Sequence, residues 1–129
     1  MIRVLLADDH KILRQGLVRL LENEPDIEVI AEASDGQSAV ELAIEMQPDV
    51  VVMDVSMPHC NGIDATRGLI AEAPHARVIA LSMYEGEGWA AKLREAGAAA
   101  YLRKDAAIDH LVSTIRECVS VPVAPPAEH

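Results

Sequence analysis

The sequence alternates short apolar runs of strand length with longer segments of helical periodicity. The run at 50–53 is apolar at every position, which is typical of a parallel strand buried on both faces. An earlier apolar run, at 2–7, is followed by a segment at 10–23 whose leucines share one helical face. This alternation predicts a doubly wound α/β fold, in which helices cross over a parallel sheet.

Five strands and five helices are expected along the chain. The segment at 27–32 is more polar than the other strand-like segments, so we expect it at an edge of the sheet. The strands are predicted at 2–7, 27–32, 49–54, 77–81 and 99–102, and the helices at 10–23, 34–46, 63–72, 84–96 and 105–119.

Three helices carry more specific signals. Ser34 and Gln37 resemble a capping box, which would make Ser34 the N-cap of the second helix. Gly86 and Gly88 each cost about 1 kcal/mol relative to alanine inside a helix, so we expect the start of the fourth helix to be weak. Asp105 is expected to cap the last helix. The buried stripe of that helix is predicted to consist of Ile108, Leu111, Val112, Ile115 and Val119.

The composition fits one compact domain. A chain of 129 residues has the size of a single domain, which we predict to span 1–120, with the Pro-rich stretch 121–129 as a linker or tail. Phe is absent and aromatic residues make up 2%, so the core must be aliphatic. No apolar stretch approaches the roughly 20 residues of a membrane span, and no signal sequence is visible. A cytoplasmic location without membrane contact is therefore expected.

The charge of the chain narrows its partners. A formal net charge of −10 argues against nucleic-acid binding by this segment's own surface, because phosphate backbones are bound through Lys and Arg. DNA binding by another domain of a longer protein stays open. Cys60 and Cys118 lack the spacing of metal ligands and are interpreted as incidental or buried thiols.

Three acidic residues stand at the ends of two predicted strands. Asp8 and Asp9 follow the first strand, and Asp54 ends the third. If these strands are parallel neighbours, the carboxylates meet at the edge where doubly wound folds bind ligands. Like charges at close range repel one another, and clustered oxygens favour Mg²⁺, which accepts phosphate oxygens as further ligands. The cluster predicts phosphoryl chemistry that depends on magnesium.

The ends of the strands also suggest separate roles. Asp54 is the best candidate nucleophile, because it follows the most buried strand. Ser82 and Lys104, at the ends of the fourth and fifth strands, suit the oxygens of a phosphoryl group as a hydroxyl donor and a point charge. Asp9 and the main-chain carbonyl of Ser56 are expected to complete the metal shell.

Asp8 also belongs to the predicted pocket, and each candidate residue has an ordinary structural alternative. Asp8 is expected to bind the metal through water. Taken singly, Asp9 could be a helix cap, Ser82 a turn residue, Lys104 a solvated charge and Tyr101 a core residue. The set as a whole, at the ends of four strands, favours a functional site.

The combined pattern resembles the receiver domain of bacterial two-component response regulators. The resemblance covers about residues 1–120, and its motifs are specific in combination. It implies a flavodoxin-like sheet in the order 2-1-3-4-5. The matching pieces are Ala7 to His10, Val51 to Pro58, Asn61-Gly62, Ala80 to Ser82, and Gly97 to Asp105.

The resemblance implies a role for each candidate residue. Asp54 would accept a phosphoryl group from a phosphohistidine on a sensor histidine kinase, with Mg²⁺ in the acidic pocket that Asp54 shares with Asp8 and Asp9. Ser82 would be the switch hydroxyl, and Lys104 would pair with the phosphoryl group. By the same resemblance, Tyr101 would be the switch aromatic, which turns inward when the hydroxyl moves.

Details of the sequence resemble the NarL/FixJ (LuxR-type) class of regulators. These details are Asp8-Asp9-His10, Arg14 to Leu17, and Lys104-Asp105, where the wider family often has a proline after the lysine. The class implies a transcription regulator that forms a homodimer when phosphorylated. It would contact DNA only through a C-terminal helix-turn-helix domain outside this chain.

Parts of the pattern also fit other functions. A stand-alone receiver or docking module without a DNA-binding output is the main alternative. A phosphatase with an aspartate nucleophile usually needs a second Asp two residues on, where this chain has Ser56, so we expect no turnover enzyme. A flavodoxin-like cofactor binder is disfavoured because the loop after the first strand is acidic and lacks a phosphate cradle.

Overall fold

A computed structural model describes residues 1–55, 62–83 and 87–120, which form a five-stranded parallel sheet with helices on both faces. The strands lie in the order β2-β1-β3-β4-β5, which confirms the predicted fold and topology. The elements are β1 (Ile2–Ala7), α1 (Lys11–Glu22), β2 (Ile27–Ala33), α2 (Gly36–Met46), β3 (Val50–Asp54), α3 (Gly62–Glu72), β4 (Arg77–Ser82), α4 (Glu87–Glu95), β5 (Ala100–Arg103), a 3₁₀ turn (Lys104–Ala106) and α5 (Ala107–Ser120).

The central strand is the most apolar one, as predicted. All five residues of β3 are buried, because helices cover both faces of the sheet at this position. The more polar β2 lies at an edge and pairs with β1 alone, which confirms its predicted place. β1, β3 and β4 are consecutive neighbours, so their carboxyl ends meet at one edge of the sheet.

The core consists of two aliphatic layers, one on each face of the sheet. One layer joins the strands to α2, α3 and α4, and the other joins them to α1 and α5. Leu, Ile, Val and Met are the largest fully buried side chains, which matches the lack of Phe. The helical contributions to the second layer include Leu17, Leu21, Leu111 and Ile115.

The predicted cap of the second helix is wrong by one residue. Asp35, not Ser34, is the N-cap of α2, and its carboxylate accepts a hydrogen bond from the backbone N–H of Ser38 at 2.7 Å. The shift arises because β2 continues to Ala33, so the chain turns into the helix one position later than the sequence indicates.

The start of the last helix differs from the prediction as well. Asp105 does not cap α5, because it lies inside the 3₁₀ turn and pairs with Arg103. After this turn Ala107 is buried and Ile108 is 58% exposed, so Ile108 does not belong to the buried stripe. Leu111 and Ile115 are fully buried as predicted.

Several sequence predictions lie outside the described residues. They concern Ser56, Cys60, Gly86, the first residues of the predicted fourth helix, and the stretch 121–129. Cys118 is a half-buried free thiol. Across the described part of the chain, no helix combines the length and apolar character that crossing a membrane requires.

Candidate functional site

The register of the sheet brings Asp8 and Asp54 to one edge. Asp54 is the last residue of β3, and Asp8 follows β1, with its N–H donating to the carbonyl of Ala33 at 3.0 Å. Ala7 pairs with Met53 across the two strands, so the two aspartates leave the sheet side by side. Both are fully buried, although an ionised carboxylate is costly to bury without a partner.

Lys104 is the charge partner of both buried carboxylates. Its Nζ lies 2.7 Å from Oδ2 of Asp54 and 3.4 Å from Oδ1 of Asp8. The lysine side chain is only 9% exposed, so water screens these interactions poorly. Lys104 starts the turn directly after β5, which is separated from β1 by β3 and β4 in the sheet. Its long side chain extends along the carboxyl edge of the sheet to reach both aspartates.

Asp9 completes the acidic cluster at the rim. Its side chain is 25% exposed, compared with 0% for Asp8 and Asp54. Burial raises the pKa of the Asp9 carboxyl above its ordinary value, and a hydrogen bond with Asp54 and the negative charge of Asp54 act in the same direction. His10 opposes this rise. The raised pKa shows that the pocket disfavours a further negative charge.

His10 belongs to the site, although from the sequence alone it serves only as a marker of the LuxR-type class. Its Nδ1 lies 2.7 Å from Nζ of Lys104, 3.2 Å from Oδ1 of Asp8 and 3.3 Å from Oδ1 of Asp9. An ammonium group has no acceptor, so Nδ1 carries the lone pair in the contact with Lys104. His10 and Lys104 are 94 residues apart, and only the folded sheet brings them together.

The backbone around Asp8 is fixed by two contacts. The N–H of His10 donates to Oδ1 of Asp8 at 2.7 Å. Arg14, on α1, donates from Nη1 to the carbonyl of Asp8 at 2.6 Å and from Nε to Glu32 on β2 at 3.1 Å. His10 is the N-cap of α1, so the ordinary interpretation of Asp9 as the helix cap does not apply.

The other predicted residues occupy the same half of the sheet. Ser82 is the last residue of β4 and is fully buried, at the strand end next to that of Asp54. Tyr101, on β5, is half-buried against the layer formed with α2, α3 and α4. The carbonyl of Ser56 lies outside the described residues.

The residues present fit a divalent cation. Oδ2 of Asp8 and Oδ1 of Asp9 are buried and have no hydrogen-bond partner among the described residues, which is unusual for buried carboxylate oxygens. One potential ligand atom from each of Asp8, Asp9, His10 and Asp54 lies within 4.8 Å of the others. Among the described residues, three carboxylates face the ammonium of Lys104, so their formal negative charge exceeds its positive charge by two. Mg²⁺ carries that charge and prefers oxygen ligands.

Fold and site together define a class: doubly wound α/β proteins with an acidic pocket and a lysine at the carboxyl edge of the sheet. The profile of the response regulator receiver domain matches residues 4–116, so the chain belongs to the response regulator receiver domain family.

The chain is similar to regulators of the LuxR type. The transcriptional regulatory protein LiaR of Bacillus subtilis is 44% identical over 116 residues, which cover 90% of this chain and 55% of LiaR. The signal receiver domain of NarL from Mycobacterium tuberculosis superposes with a TM-score of 0.87 at 30% identity, covering 92% of this chain and 96% of that one. A LuxR-family response regulator from Aurantimonas superposes with a TM-score of 0.86 at 38% identity, covering 96% and 89% of the two chains.

The similarity to curated relatives is confined to part of their length. The chain spans about half of the curated relatives it matches, from 49% of DegU of Brevibacillus brevis to 55% of LiaR. The chain is therefore a receiver domain of two-component signalling that is related to transcriptional regulators, and the predicted resemblance to the LuxR-type class is confirmed.

Proposed function

We propose that Asp54 is the phosphoacceptor of this receiver and takes its phosphoryl group from a phosphohistidine of a sensor histidine kinase. The observation that carries the proposal is the position of Asp54, which is fully buried at the end of the central strand with Lys104 at 2.7 Å. Such a carboxylate keeps its charge only through its partners, which suits a nucleophile that must stay ionised.

The proposed transfer is a displacement at phosphorus. A carboxylate oxygen of Asp54 forms a bond to phosphorus while the bond from phosphorus to the donor's imidazole nitrogen breaks, and the imidazole leaves with that electron pair. Lys104 faces the developing charge on the phosphoryl oxygens as a fixed cation. The nearby Ser82 hydroxyl donates a hydrogen bond to another of these oxygens.

We propose that Mg²⁺ is held by Asp8, Asp9 and Asp54, with the main-chain carbonyl of Ser56 as a further ligand. When bound, the ion supplies positive charge opposite the phosphoryl oxygens. The support comes from the residues that the structure describes, where the carboxylates exceed the ammonium by two charges and two buried carboxylate oxygens have no hydrogen-bond partner. Asp8, fixed by its contacts with His10 and Arg14, would hold the ion or a bound water in place.

The proposed switch connects the phosphoryl group to the β4–β5 side of the sheet. Phosphorylation adds about 1.5 to 2 negative charges, which would draw the Ser82 hydroxyl toward Asp54. Tyr101 on the adjacent strand β5 would then turn inward. The population of a pre-existing active conformation would rise as far as these contacts favour it.

The output is also a proposal. Residues 1–120 would be the receiver and 121–129 a linker to a helix-turn-helix domain that contacts DNA, with homodimer formation upon phosphorylation. The relation to transcriptional regulators supports this view. The receiver would phosphorylate and dephosphorylate itself without turning over other substrates. A stand-alone receiver or docking module is the alternative.

Intact mass spectrometry tests the proposal. The protein is incubated with Mg²⁺ and acetyl phosphate, and we expect the mass of one phosphoryl group on the wild type and none on Asp54→Asn. Asp64→Asn, an exposed aspartate on α3, is the matched control and should gain the group. An equal gain in Asp54→Asn, or a gain that EDTA leaves unchanged, would contradict the assignment.

A further inference from the structure

We propose that His10 is a nitrogen ligand of the cation in this pocket and that it selectively strengthens the binding of transition metals over Mg²⁺. The inference rests on the proposed cation site of Asp8, Asp9 and Asp54. Asp8 is fully buried, and its Oδ2 has no hydrogen-bond partner among the described residues, which fits a pocket that holds a cation.

The distances around His10 are those of ligands that share one ion. Two ligands at about 2.1 Å from a metal lie about 3.0 Å apart at a right angle and about 4.2 Å apart when opposite. Nδ1 of His10 lies 3.2 Å from Asp8 Oδ1, 3.3 Å from Asp9 Oδ1 and 4.0 Å from Asp54 Oδ2. Nζ of Lys104 lies 2.7 Å from His10 Nδ1, 2.7 Å from Asp54 Oδ2 and 3.4 Å from Asp8 Oδ1. The ammonium therefore occupies the space between these atoms and must move when an ion takes the ligands of Asp8, Asp9 and His10.

The electronic state of His10 also suits a ligand. Its Nδ1 accepts a hydrogen bond from Lys104 at 2.7 Å, so the lone pair already faces the cationic side of the pocket. The side chain is 52% exposed and can therefore adjust to an ion at little packing cost. Imidazole suits borderline transition metals, whereas Mg²⁺ prefers oxygen, so the nitrogen should change the relative affinities.

Binding at His10 has a consequence for Lys104. A metal and the ammonium group compete for the same lone pair, so coordination releases Lys104 from His10. The lysine then keeps its contact with Asp54, the nearer carboxylate, because the ion also repels it from Asp8. The cation would thereby direct Lys104 toward the phosphoacceptor.

Calorimetric titration with Co²⁺ and with Mg²⁺ tests the ligand. His10→Ala should lower the Co²⁺ affinity by roughly tenfold or more, because even the loss of a residue that only supports a metal ligand lowers metal affinity by about tenfold. The Mg²⁺ affinity should change far less. The visible absorption of bound Co²⁺ should shift. His10→Gln, which offers oxygen in place of nitrogen, should behave like His10→Ala toward Co²⁺.

His75→Ala, an exposed histidine between α3 and β4, is the matched control and should leave both affinities unchanged. A Co²⁺ affinity that falls no further in His10→Ala than in His75→Ala overturns this inference alone. A wild type that binds neither ion overturns the proposed magnesium site as well. Retained Mg²⁺ binding by His10→Ala shows that the variant is folded.

A double-mutant cycle tests the competition with Lys104. Removing the ammonium in Lys104→Met should raise the affinity for both ions, but more for Co²⁺, because only Co²⁺ gains from the freed nitrogen. In the His10→Ala background the two gains should become equal. Equal gains in the presence of His10 would overturn the competition.

Discussion

Replacing Asp9 by asparagine should stabilise the cation-free protein, although it removes a residue of the site. Asp9 brings a third negative charge to a pocket with one ammonium, and Lys104 contacts the other two carboxylates within hydrogen-bond range. The raised pKa of Asp9 expresses the same conflict, since burial and Asp54 disfavour its ionised form. Asparagine keeps the shape of the side chain and removes the charge.

The size of the effect follows from the geometry. The ligand atoms of the cluster lie within 4.8 Å of one another, and two unit charges at that separation repel by about 3.5 kcal/mol at an effective dielectric constant of 20. Asp9 is partly exposed and solvent screens some of the repulsion, so we expect Asp9→Asn to raise the free energy of unfolding by about 1 to 3 kcal/mol.

Magnesium should reverse the trend. An ion present at a hundred times its dissociation constant stabilises the folded state by about 2.7 kcal/mol. The wild type should gain this amount, and Asp9→Asn should gain much less, because one proposed ligand is lost. Urea denaturation followed by circular dichroism, in EDTA and over a series of Mg²⁺ concentrations, measures both quantities.

The control is Asp109→Asn, an exposed aspartate in the first turn of α5. It should lose about 0.3 to 1 kcal/mol through the helix dipole, by the same amount in EDTA and in Mg²⁺. The reasoning fails if Asp9→Asn is no more stable than the wild type in EDTA, or if Mg²⁺ stabilises both proteins equally.

Two further predictions concern stability away from the site. Gly97 has a φ of 111°, and a Cβ there would collide with Ile70, so Gly97→Ala should lower the free energy of unfolding by at least about 1 kcal/mol. Gly16 lies in α1 with no atom near a new methyl group, so Gly16→Ala should raise the free energy of unfolding by roughly 0.5 to 1 kcal/mol. Chemical denaturation that gives both changes the same sign would contradict this difference. Arg116 holds the pKa of Asp26 below its ordinary value through a hydrogen bond, so the pair's stabilisation is present above the ordinary pKa of 3.8 and is lost as the pH falls through the lowered one. The stability gap between the wild type and Arg116→Met should therefore shrink in acid and at high salt, and a gap that stays constant in both would refute the ion pair's contribution.

The fold could be predicted because its strongest signals are local. The unbroken apolar run of β3 and the polar character of β2 indicated the centre and the edge of the sheet, and the structure confirms both. Helix starts were harder, because neighbouring polar residues compete for the cap. Asp35 caps α2 in place of Ser34, and Ile108, after the 3₁₀ turn, is exposed. Neither feature is visible in the periodicity of the sequence.

The site was predictable as far as strand ends define it. Asp8, Asp54 and Ser82 follow or end three consecutive neighbours in the sheet, so knowing the strands was enough to group them. The contribution of His10 was not predictable, because it depends on the side chain of Lys104 crossing the edge from β5. The sequence signal was a histidine directly after two aspartates at a strand end. That signal indicates a site residue only once the distance between His10 and Lys104 is known.

Lys104 contacts three groups of the pocket that compete for its positive charge. It touches the proposed phosphoacceptor Asp54, the buried Asp8 and the lone pair of His10 at once, so any charge added or removed at one of them changes its preference among the other two. A phosphoryl group on Asp54 would attract the ammonium more strongly than the carboxylate does, because it brings additional negative charge. A cation between the aspartates would repel the ammonium from Asp8 and His10 by the same electrostatic rule. Both events therefore move Lys104 in one direction, toward Asp54, and the cation and the phosphoryl group should favour each other's binding.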